Sequence, residues 1–195
     1  MNATAPDLHP EVHHWTLPVG NASNGARAEV LAVRAGQLNV EPLLSTLCEA
    51  EQRRSAHFKS PHRRNEYIAS RWLIHQLDDL GPVSISHCRR WIAVAATPGA
   101  GIGIDVESRL PRHLEQVAER LGWNGIGEDQ YLQAWTLWEA WRKLEGGSVL
   151  DEPDAVYQGA LADRTAIMEA GSDVDGIAFR SLALEGGCLS IAVRA

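Results

Sequence analysis

Hydrophobic and polar positions repeat with two different periods in the first half of the chain, and they predict helices set among short strands. Short alternating or continuous apolar runs indicate strands, whereas apolar residues three and four apart indicate a helix. A serine followed by proline is typical of a helix start, and a glycine-proline pair of its end. The predicted elements are strands at Ala28–Val33, Val83–His87 and Trp91–Thr97, and helices over Glu41–Phe58 and between Ser60-Pro61 and Gly81-Pro82.

The second half predicts one strand, two helices and a series of short β-like runs. These are a strand at Gly101–Glu107, helices at Pro111–Leu121 and Glu128–Leu144, and β-like runs at 155–161, 165–171, 176–184 and 188–194. The pair Gly146-Gly147 ends the second helix. A Pro-Gly turn at 98–101 separates the halves and predicts two domains, residues 1–100 and 101–195. Because each half pairs helices with antiparallel strands, we expect an α+β fold.

The composition adds the class of protein and its compartment. Of 195 residues, 45% are hydrophobic and 22% charged, which supports a buried core and excludes disordered and coiled-coil classes. The three cysteines form no CxxC pair, so we expect a reducing environment and neither a zinc knuckle nor a disulfide framework. No apolar run reaches the roughly 18 residues of a membrane span, and the polar start shows no secretory signal. The sequence therefore predicts a cytoplasmic protein without a membrane partner.

Charge is distributed unevenly along the chain. The net charge of −7 argues against a nucleic-acid partner. Residues 51–90 nevertheless carry 8 basic and 4 acidic side chains, whereas residues 91–195 carry 8 basic and 16 acidic ones. This asymmetry suggests an anionic ligand held beside a metal-binding carboxylate site. The alternative is that the basic stretch is a solvated helix face.

Two carboxylates, Asp105 and Glu107, lie two residues apart on the predicted strand at 101–107. Strand side chains alternate, so both point to one face, with Cα atoms roughly 6.5–7 Å apart. Apolar neighbours at positions 102, 104 and 106 predict that this strand is central in its sheet. Hard oxygen ligands of this kind suit Mg²⁺. The alternative is a solvent-facing strand end, because the pattern Asp-x-Glu is common.

A second charged pair, Glu139 and Lys143, lies one turn apart on the predicted helix at 128–144. Such a pair is commonly a surface salt bridge. Three tryptophans share this stretch, however, and a segment reading WTLWEAW is too apolar for a free surface. We therefore expect most of these tryptophans in the core, and a carboxylate and an ammonium group between them need a further reason. The three are Trp135, Trp138 and Trp141.

His87 ends the strand VSISH, and alone it favours a structural role over a catalytic one. The chain has no GxSxG elbow, so a serine hydrolase is not indicated. The other histidines lack a metal-ligand spacing such as HExxH, and we interpret them as surface or capping residues, those at positions 9, 13 and 14 in an irregular start. The GIGID segment lacks the third glycine of a dinucleotide fingerprint.

Taken in order, SISH, GIGIDVE and WTLWEAWRK resemble the motifs of the 4′-phosphopantetheinyl transferases, and most closely the Sfp-like, pseudo-dimeric class. The basic segments around EQRR and YIASR are similar to that family's first-lobe helices, so the resemblance spans roughly residues 40–145. It implies two α+β lobes related by pseudo-twofold symmetry, with the active site in the cleft between them. It also implies transfer of phosphopantetheine from coenzyme A to a serine of an apo acyl or peptidyl carrier protein, releasing 3′,5′-ADP. A monomer acting in the cytoplasm is expected.

The resemblance also implies a role for each motif residue. Asp105, Glu107 and Glu139 would hold Mg²⁺, or Mn²⁺ in its place, and Glu139 would be the base toward the carrier serine. Lys143 would grip the pyrophosphate or protonate the leaving group. His87 would contact the 3′-phosphate of coenzyme A. The remaining coenzyme A contacts are assigned to Ser86, Arg54 and Arg64, with Arg53 and Arg71 as weaker candidates.

The sequence departs from the family pattern at three places, and other interpretations stay open. Trp138 stands where the family has a lysine, Cys88 follows His87, and the family's GKP segment is absent. The alternatives are a non-catalytic relative that binds coenzyme A or a carrier protein, and a metal-dependent nucleotide phosphohydrolase. For the carrier we expect a locally basic or apolar surface formed by Arg109, Arg112 and the 111–127 segment.

Overall fold

The computed structural model describes residues 10–19, 27–77, 81–99, 101–109, 127–147, 173–174 and 176–194. In these ranges the chain is α+β, with two antiparallel four-stranded sheets and a few helices. The strands are β1 His13–Pro18, β2 Arg27–Arg34, β3 Val83–His87, β4 Trp91–Ala96, β5 Ile102–Glu107, β6 Asp173–Val174, β7 Ile177–Leu184 and β8 Gly187–Arg194. The α-helices are α1 Val40–Leu44, α2 Glu49–Ser55, α3 Pro61–Ile74 and α4 Glu128–Glu145, and a 3-10 turn covers Ala35–Gln37. The predicted α+β class is confirmed.

Sheet 1 has the strand order β1-β2-β4-β3; helices α1 and α3 cover one of its faces, and α2 packs on α3. All six residues of β4 are buried, as expected for a strand that lies inside its sheet. Ser60 caps α3 because its side chain accepts a hydrogen bond from the Arg63 backbone amide, and Pro61 occupies the first turn. Leu43, Ile68 and Leu73 fill the layer between these helices and the sheet.

Sheet 2 has the order β5-β8-β7-β6, and α4 packs against one of its faces. Trp138, Trp141 and Phe179 form the core of this layer, so the tryptophan-rich helix face is buried as predicted. The helix ends at Gly146, which adopts the left-handed conformation with φ 69° and confirms the predicted stop.

The other faces of the two sheets pack on each other through a third apolar layer. Val30 and Ala93 of sheet 1 meet Ile104 and Ile191 of sheet 2 in this cluster. The order of layers is therefore helices, sheet 1, sheet 2 and helix α4. The division into domains at residue 100 stays a prediction.

Strand β5 corrects one expectation. Its apolar run predicts a central strand, but it lies at the edge of sheet 2. Its other edge lies against β3, where the Ser84 and Ser86 hydroxyls accept hydrogen bonds from the Ile104 and Val106 amides at 3.1 and 3.3 Å. Because β8 and β3 cover the two edges of β5, its sequence has the apolar pattern expected of a central strand.

Other differences from the predicted elements concern the first half. The single helix expected over 41–58 is two helices, α1 and α2, separated by a turn at 45–48. Strand β1 lies in the start that was expected to be irregular and includes His13 and His14. Helix α3 ends at Ile74, several residues before the expected stop. The predicted elements at 111–121, 155–161 and 165–171 lie outside the described residues.

Among the residues that the structure describes, no helix is long and apolar enough to cross a membrane.

Candidate active site

The seam between β3 and β5 carries a buried polar network centred on Asp105. The Ser86 hydroxyl donates to Asp105 Oδ1 at 2.8 Å, and Lys143 Nζ donates to the same oxygen at 2.7 Å. Lys143 Nζ also donates to Ser86 Oγ and to the Ile104 carbonyl, each at 3.0 Å. Residues from β3, β5 and α4 therefore meet at one carboxylate. Ser86, for which coenzyme A binding stays a prediction, orients Asp105 through this hydrogen bond.

Gly103 explains why α4 lies close enough to β5 for Lys143 to reach this network. A Cβ at this position would lie 1.9 Å from the Ala140 carbonyl oxygen and 2.7 Å from the Leu144 amide nitrogen. Both contacts are far too short for real atoms, so only glycine permits the observed spacing. The second glycine of the GIGID segment, Gly103, thus allows the close packing that brings Lys143 to Asp105.

Glu107 and Glu139 complete a group that we call the carboxylate cluster, formed by Asp105, Glu107 and Glu139. Burial, followed by the charge of Asp105, raises the pKa of Glu107 to about 7. Burial, followed by the same charge, raises the pKa of Glu139 to about 7, and Lys143 opposes that rise. Asp105 therefore disfavours ionisation of both glutamates, and a hydrogen bond between the Asp105 and Glu139 carboxyls raises the pKa of Glu139 further. Asp105 Oδ2 is buried, and no amide, amine or hydroxyl group donates to it among the described residues.

The chemistry of this cluster fits a divalent cation with hard-ligand preference. The negative charge that Asp105 places beside two half-buried glutamates is relieved by added positive charge. Among the described residues, no group of three or more His, Cys, Asp and Glu side chains is already arranged to hold a metal ion. Mg²⁺ does not need such a closed cage, because it keeps several waters and takes only one or two protein carboxylates.

A second group surrounds His87 at the end of β3, and we call it the cationic pocket. It is a cavity of about 580 Å³ lined by His62, Arg63, Glu66, His87, Cys88, Arg89 and Arg109. Glu66 is its only acidic lining residue among those described, and its side chain is only 7% exposed. Arginine guanidinium groups and histidine in one cavity are suited to phosphate.

Arg109 connects the two groups. It lines the cationic pocket, and its charge lowers the pKa of Glu107 in the carboxylate cluster. It also lines a second cavity of about 820 Å³ between the start of α4 and the β7–β8 hairpin. Cys188 lies on the wall of that cavity, and burial raises the pKa of its thiol. The other expected docking arginine, Arg112, lies outside the described residues together with most of the 111–127 segment.

The basic residues chosen from the sequence lie elsewhere. Arg64 pairs with Glu41 of α1 at 2.9 Å, and Arg54 lies over the ring of Tyr67 at 5.8 Å. Arg71 lies over the same ring at 5.6 Å, and Arg53 pairs with Glu49 within α2. None of the four lines the cavity around His87.

Sequence reasoning missed Arg63, Arg89 and Glu66. Arg63 precedes the chosen Arg64 by one position, which on a helix is a rotation of about 100°. The available signal was the spacing within α3: His62 and Arg63 lie four and three positions before Glu66, so both side chains can reach its carboxylate. The direction of that face toward β3 follows only from the packing of the helix on sheet 1.

Trp138 occupies the position where the family resemblance expects a lysine. It is fully buried in the layer between α4 and sheet 2, with its ring 5.2 Å from that of Trp141. A side chain at this position therefore belongs to the core of sheet 2.

A scan against protein-family models finds no family that matches the chain, and a search of curated proteins finds no match.

Proposed function

We propose that this chain is a Mg²⁺-dependent 4′-phosphopantetheinyl transferase that moves phosphopantetheine from coenzyme A to a serine of an apo carrier protein. One observation carries the proposal. A repulsive carboxylate cluster and a cationic pocket lie beside each other, with Arg109 at both. Coenzyme A offers matching chemistry, since its pyrophosphate binds a metal and its 3′-phosphate binds cations. The two-lobed, pseudo-twofold fold of the resembling family, with its cleft active site, is part of this proposal.

The carboxylate cluster is assigned to the pyrophosphate end of the substrate. Asp105, Glu107 and Glu139 would supply the oxygen ligands, one or two of them directly and the rest through metal-bound water, and Ser86 fixes the orientation of Asp105 through its hydroxyl. Mg²⁺ held there would neutralise charge on the diphosphate and stabilise the departing phosphate. Lys143 lies against Asp105 Oδ1 in this structure, so its ammonium group is already within the cluster.

The transfer itself requires that one proton moves and one P–O bond is exchanged. Glu139 accepts the proton of the carrier serine, and the serine oxygen forms a bond to the phosphopantetheine phosphorus. The bond between that phosphorus and the bridging oxygen breaks, and 3′,5′-ADP leaves with the electron pair. Lys143 stabilises the charge that develops on the leaving phosphate. A positioned base of this kind contributes roughly 10²–10⁴-fold in rate.

The cationic pocket is assigned to the 3′-phosphate. His87 and Arg63 lie within 3.4 Å of each other, and Arg89 and Arg109 line the same cavity. Arg63 and Arg89 thereby replace Arg54 and Arg64 as the proposed nucleotide-end contacts. The larger cavity beside Arg109, with apolar and acidic walls, is where the carrier or the pantetheine arm would approach.

The decisive experiment incubates the protein with an apo carrier protein, coenzyme A and Mg²⁺ and follows the carrier by intact-mass spectrometry. The expected result is a carrier heavier by one phosphopantetheine. Glu139→Gln should reduce the rate at least about 100-fold. The matched control is Glu145→Gln on the same helix, since Glu145 pairs with Arg194 at the helix end and should leave the rate unchanged.

The same experiment separates the alternatives. Coenzyme A binding without transfer to any apo carrier would support a non-catalytic binding relative, for which the buried Trp138 in place of the motif lysine is the supporting observation. Release of phosphate products from coenzyme A without a carrier would support a phosphohydrolase. Full transfer by Glu139→Gln would contradict the role given to Glu139.

A further inference from the structure

Glu66 is a buried carboxylate that the transfer reaction above does not use. It lies on α3 with its side chain 7% exposed, beneath the cationic pocket. An ionised carboxylate in such a place needs partners. His62 Nε2 lies 3.0 Å from Oε1, and Arg63 Nη1 donates to Oε2 at 3.0 Å. Both of these partners come from the helix of Glu66 itself.

The third partner comes from the other side of the pocket. His87 Nδ1 lies 3.4 Å from Glu66 Oε1, across the space between β3 and α3. The second ring nitrogen, Nε2, lies 3.4 Å from Arg63 Nη1, which can only donate, so Nε2 accepts this hydrogen bond; both residues line the cavity. A carboxylate oxygen only accepts hydrogen bonds, so the contact between Glu66 Oε1 and the ring favours a proton on Nδ1. The ring is thereby held between a carboxylate on one side and a pocket on the other.

We propose that Glu66 is a positioning residue: its buried carboxylate holds His87 through Nδ1 and Arg63 through Nη1, so that both side chains are fixed at the wall of the cationic pocket where a phosphate group would bind. In this structure Arg63 Nη1 donates to Nε2, so the guanidinium and the imidazole ring lie side by side on the wall where the phosphate would bind. Glu66 also directs Arg63 toward the same anion. The charged and titratable side chains that line the pocket with His87 are Glu66, Arg63 and His62 from α3, Arg89 after β3 and Arg109 after β5.

This inference rests on the proposed function in one respect, because it takes the 3′-phosphate of coenzyme A as the anion. The test therefore has one part that needs no ligand and one part that does. Both use Glu66→Gln, which keeps the size of the side chain and one acceptor oxygen but removes the charge. The matched control is Glu51→Gln, because Glu51 makes a comparable contact to His75 at 3.3 Å and lies outside the pocket.

The first part records the ring nitrogen resonances of His87 by ¹⁵N NMR in the ligand-free protein. We expect the wild type and Glu51→Gln to carry the proton on Nδ1 near pH 8, and Glu66→Gln to shift population toward Nε2–H. An unchanged His87 spectrum in Glu66→Gln would overturn the inference whether or not the protein is a transferase.

The second part compares coenzyme A with dephospho-coenzyme A, which lacks the 3′-phosphate, by isothermal titration calorimetry. We expect Glu66→Gln to weaken coenzyme A about tenfold and dephospho-coenzyme A less than about twofold, and Glu66→Asp to restore part of the difference. Equal losses for both ligands would mean a purely structural role and overturn the inference. A wild type that binds neither ligand would overturn the proposed function, and the NMR result would then decide the inference alone.

Discussion

The two charged regions of this molecule, the carboxylate cluster and the cationic pocket, are built in opposite ways. In the cluster Asp105 is buried, and its charge raises the pKa of both half-buried glutamates, Glu107 and Glu139. The pocket is open, and its basic side chains surround one buried carboxylate, Glu66. This carboxylate contacts three of them, His62, Arg63 and His87. The cluster therefore has more negative than positive charge, with Lys143 as its cation, whereas the basic side chains of the pocket are held by one buried carboxylate.

The difference follows from where each region lies in the fold. The cluster lies where α4 packs on β5, and close packing at Gly103 forces acidic groups together. The pocket lies at the exposed end of β3, where long side chains of α3 reach water. Tight packing sets the geometry of the cluster, and ion pairs set that of the pocket. Substitutions in each region should therefore fail in different ways.

The largest expected effect comes from Gly103→Ala. The added methyl would collide with the backbone of α4, and overpacking of this severity costs about 3 kcal/mol of unfolding free energy. Urea unfolding followed by tryptophan fluorescence measures the loss, and transfer activity should fall with it. Gly36→Ala is the control, because nothing lies within 4 Å of its added methyl. Equal stability of the two variants would show that the helix–strand contact does not depend on glycine.

Lys143→Met should affect stability less but change metal affinity. It leaves Asp105 buried without its cation, which costs about 2 kcal/mol. The same change removes a competing positive charge, so Mg²⁺ affinity measured by calorimetry should rise about threefold to tenfold while transfer slows. Lys59→Met is the control, since Lys59 is exposed. Unchanged Mg²⁺ affinity would mean that the ammonium and the metal do not share Asp105.

Arg63→Ala and Arg64→Ala test the pocket as a matched pair of neighbours. Arg63 contacts His87 and Glu66 in the pocket, whereas Arg64 pairs with exposed Glu41. We expect the KM for coenzyme A to rise about tenfold in Arg63→Ala and less than about twofold in Arg64→Ala. The reverse order would restore the assignment made from the sequence.

The smallest expected effect is the pH dependence of the cluster, read from Glu107→Gln. The folded pKa of Glu107 is about 7, above its ordinary value of 4.5, so between these values the folded state binds more protons than the unfolded one. Metal-free wild type should therefore lose stability relative to the variant as pH rises from about 4.5 to about 7, with no further change above. Urea midpoints of both proteins at pH 4.5, 6 and 8 give the difference. A wild type that gains stability relative to the variant as pH rises would contradict the shift.

Local pattern predicted much of the fold and half of the site. Alternation placed Asp105 and Glu107 on one face, and the spacing of Glu139 and Lys143 placed them one turn apart on a helix. The structure brings these residues together because β5 and α4 pack directly. Strand and helix periods are local properties, so a sequence can express them.

The remainder depends on contacts between distant elements. Sequence periodicity does not say that β3 covers the edge of β5, so the role of Ser86 was not visible. A glutamate on a polar helix reads as a surface residue, so Glu66 was missed although its side chain is buried. The turn at 45–48 that divides the predicted helix has no glycine or proline to mark it.

The most direct test of the account is the affinity for coenzyme A, measured by calorimetry with and without Mg²⁺. If the carboxylate cluster and the cationic pocket hold two ends of one ligand, Mg²⁺ should tighten coenzyme A at least about tenfold, and coenzyme A should tighten Mg²⁺ by the same factor. Glu139→Gln should reduce this coupling, while the binding that depends on the 3′-phosphate remains. Coenzyme A affinity that is the same with and without Mg²⁺ would contradict the account, because the two regions would then not share a ligand.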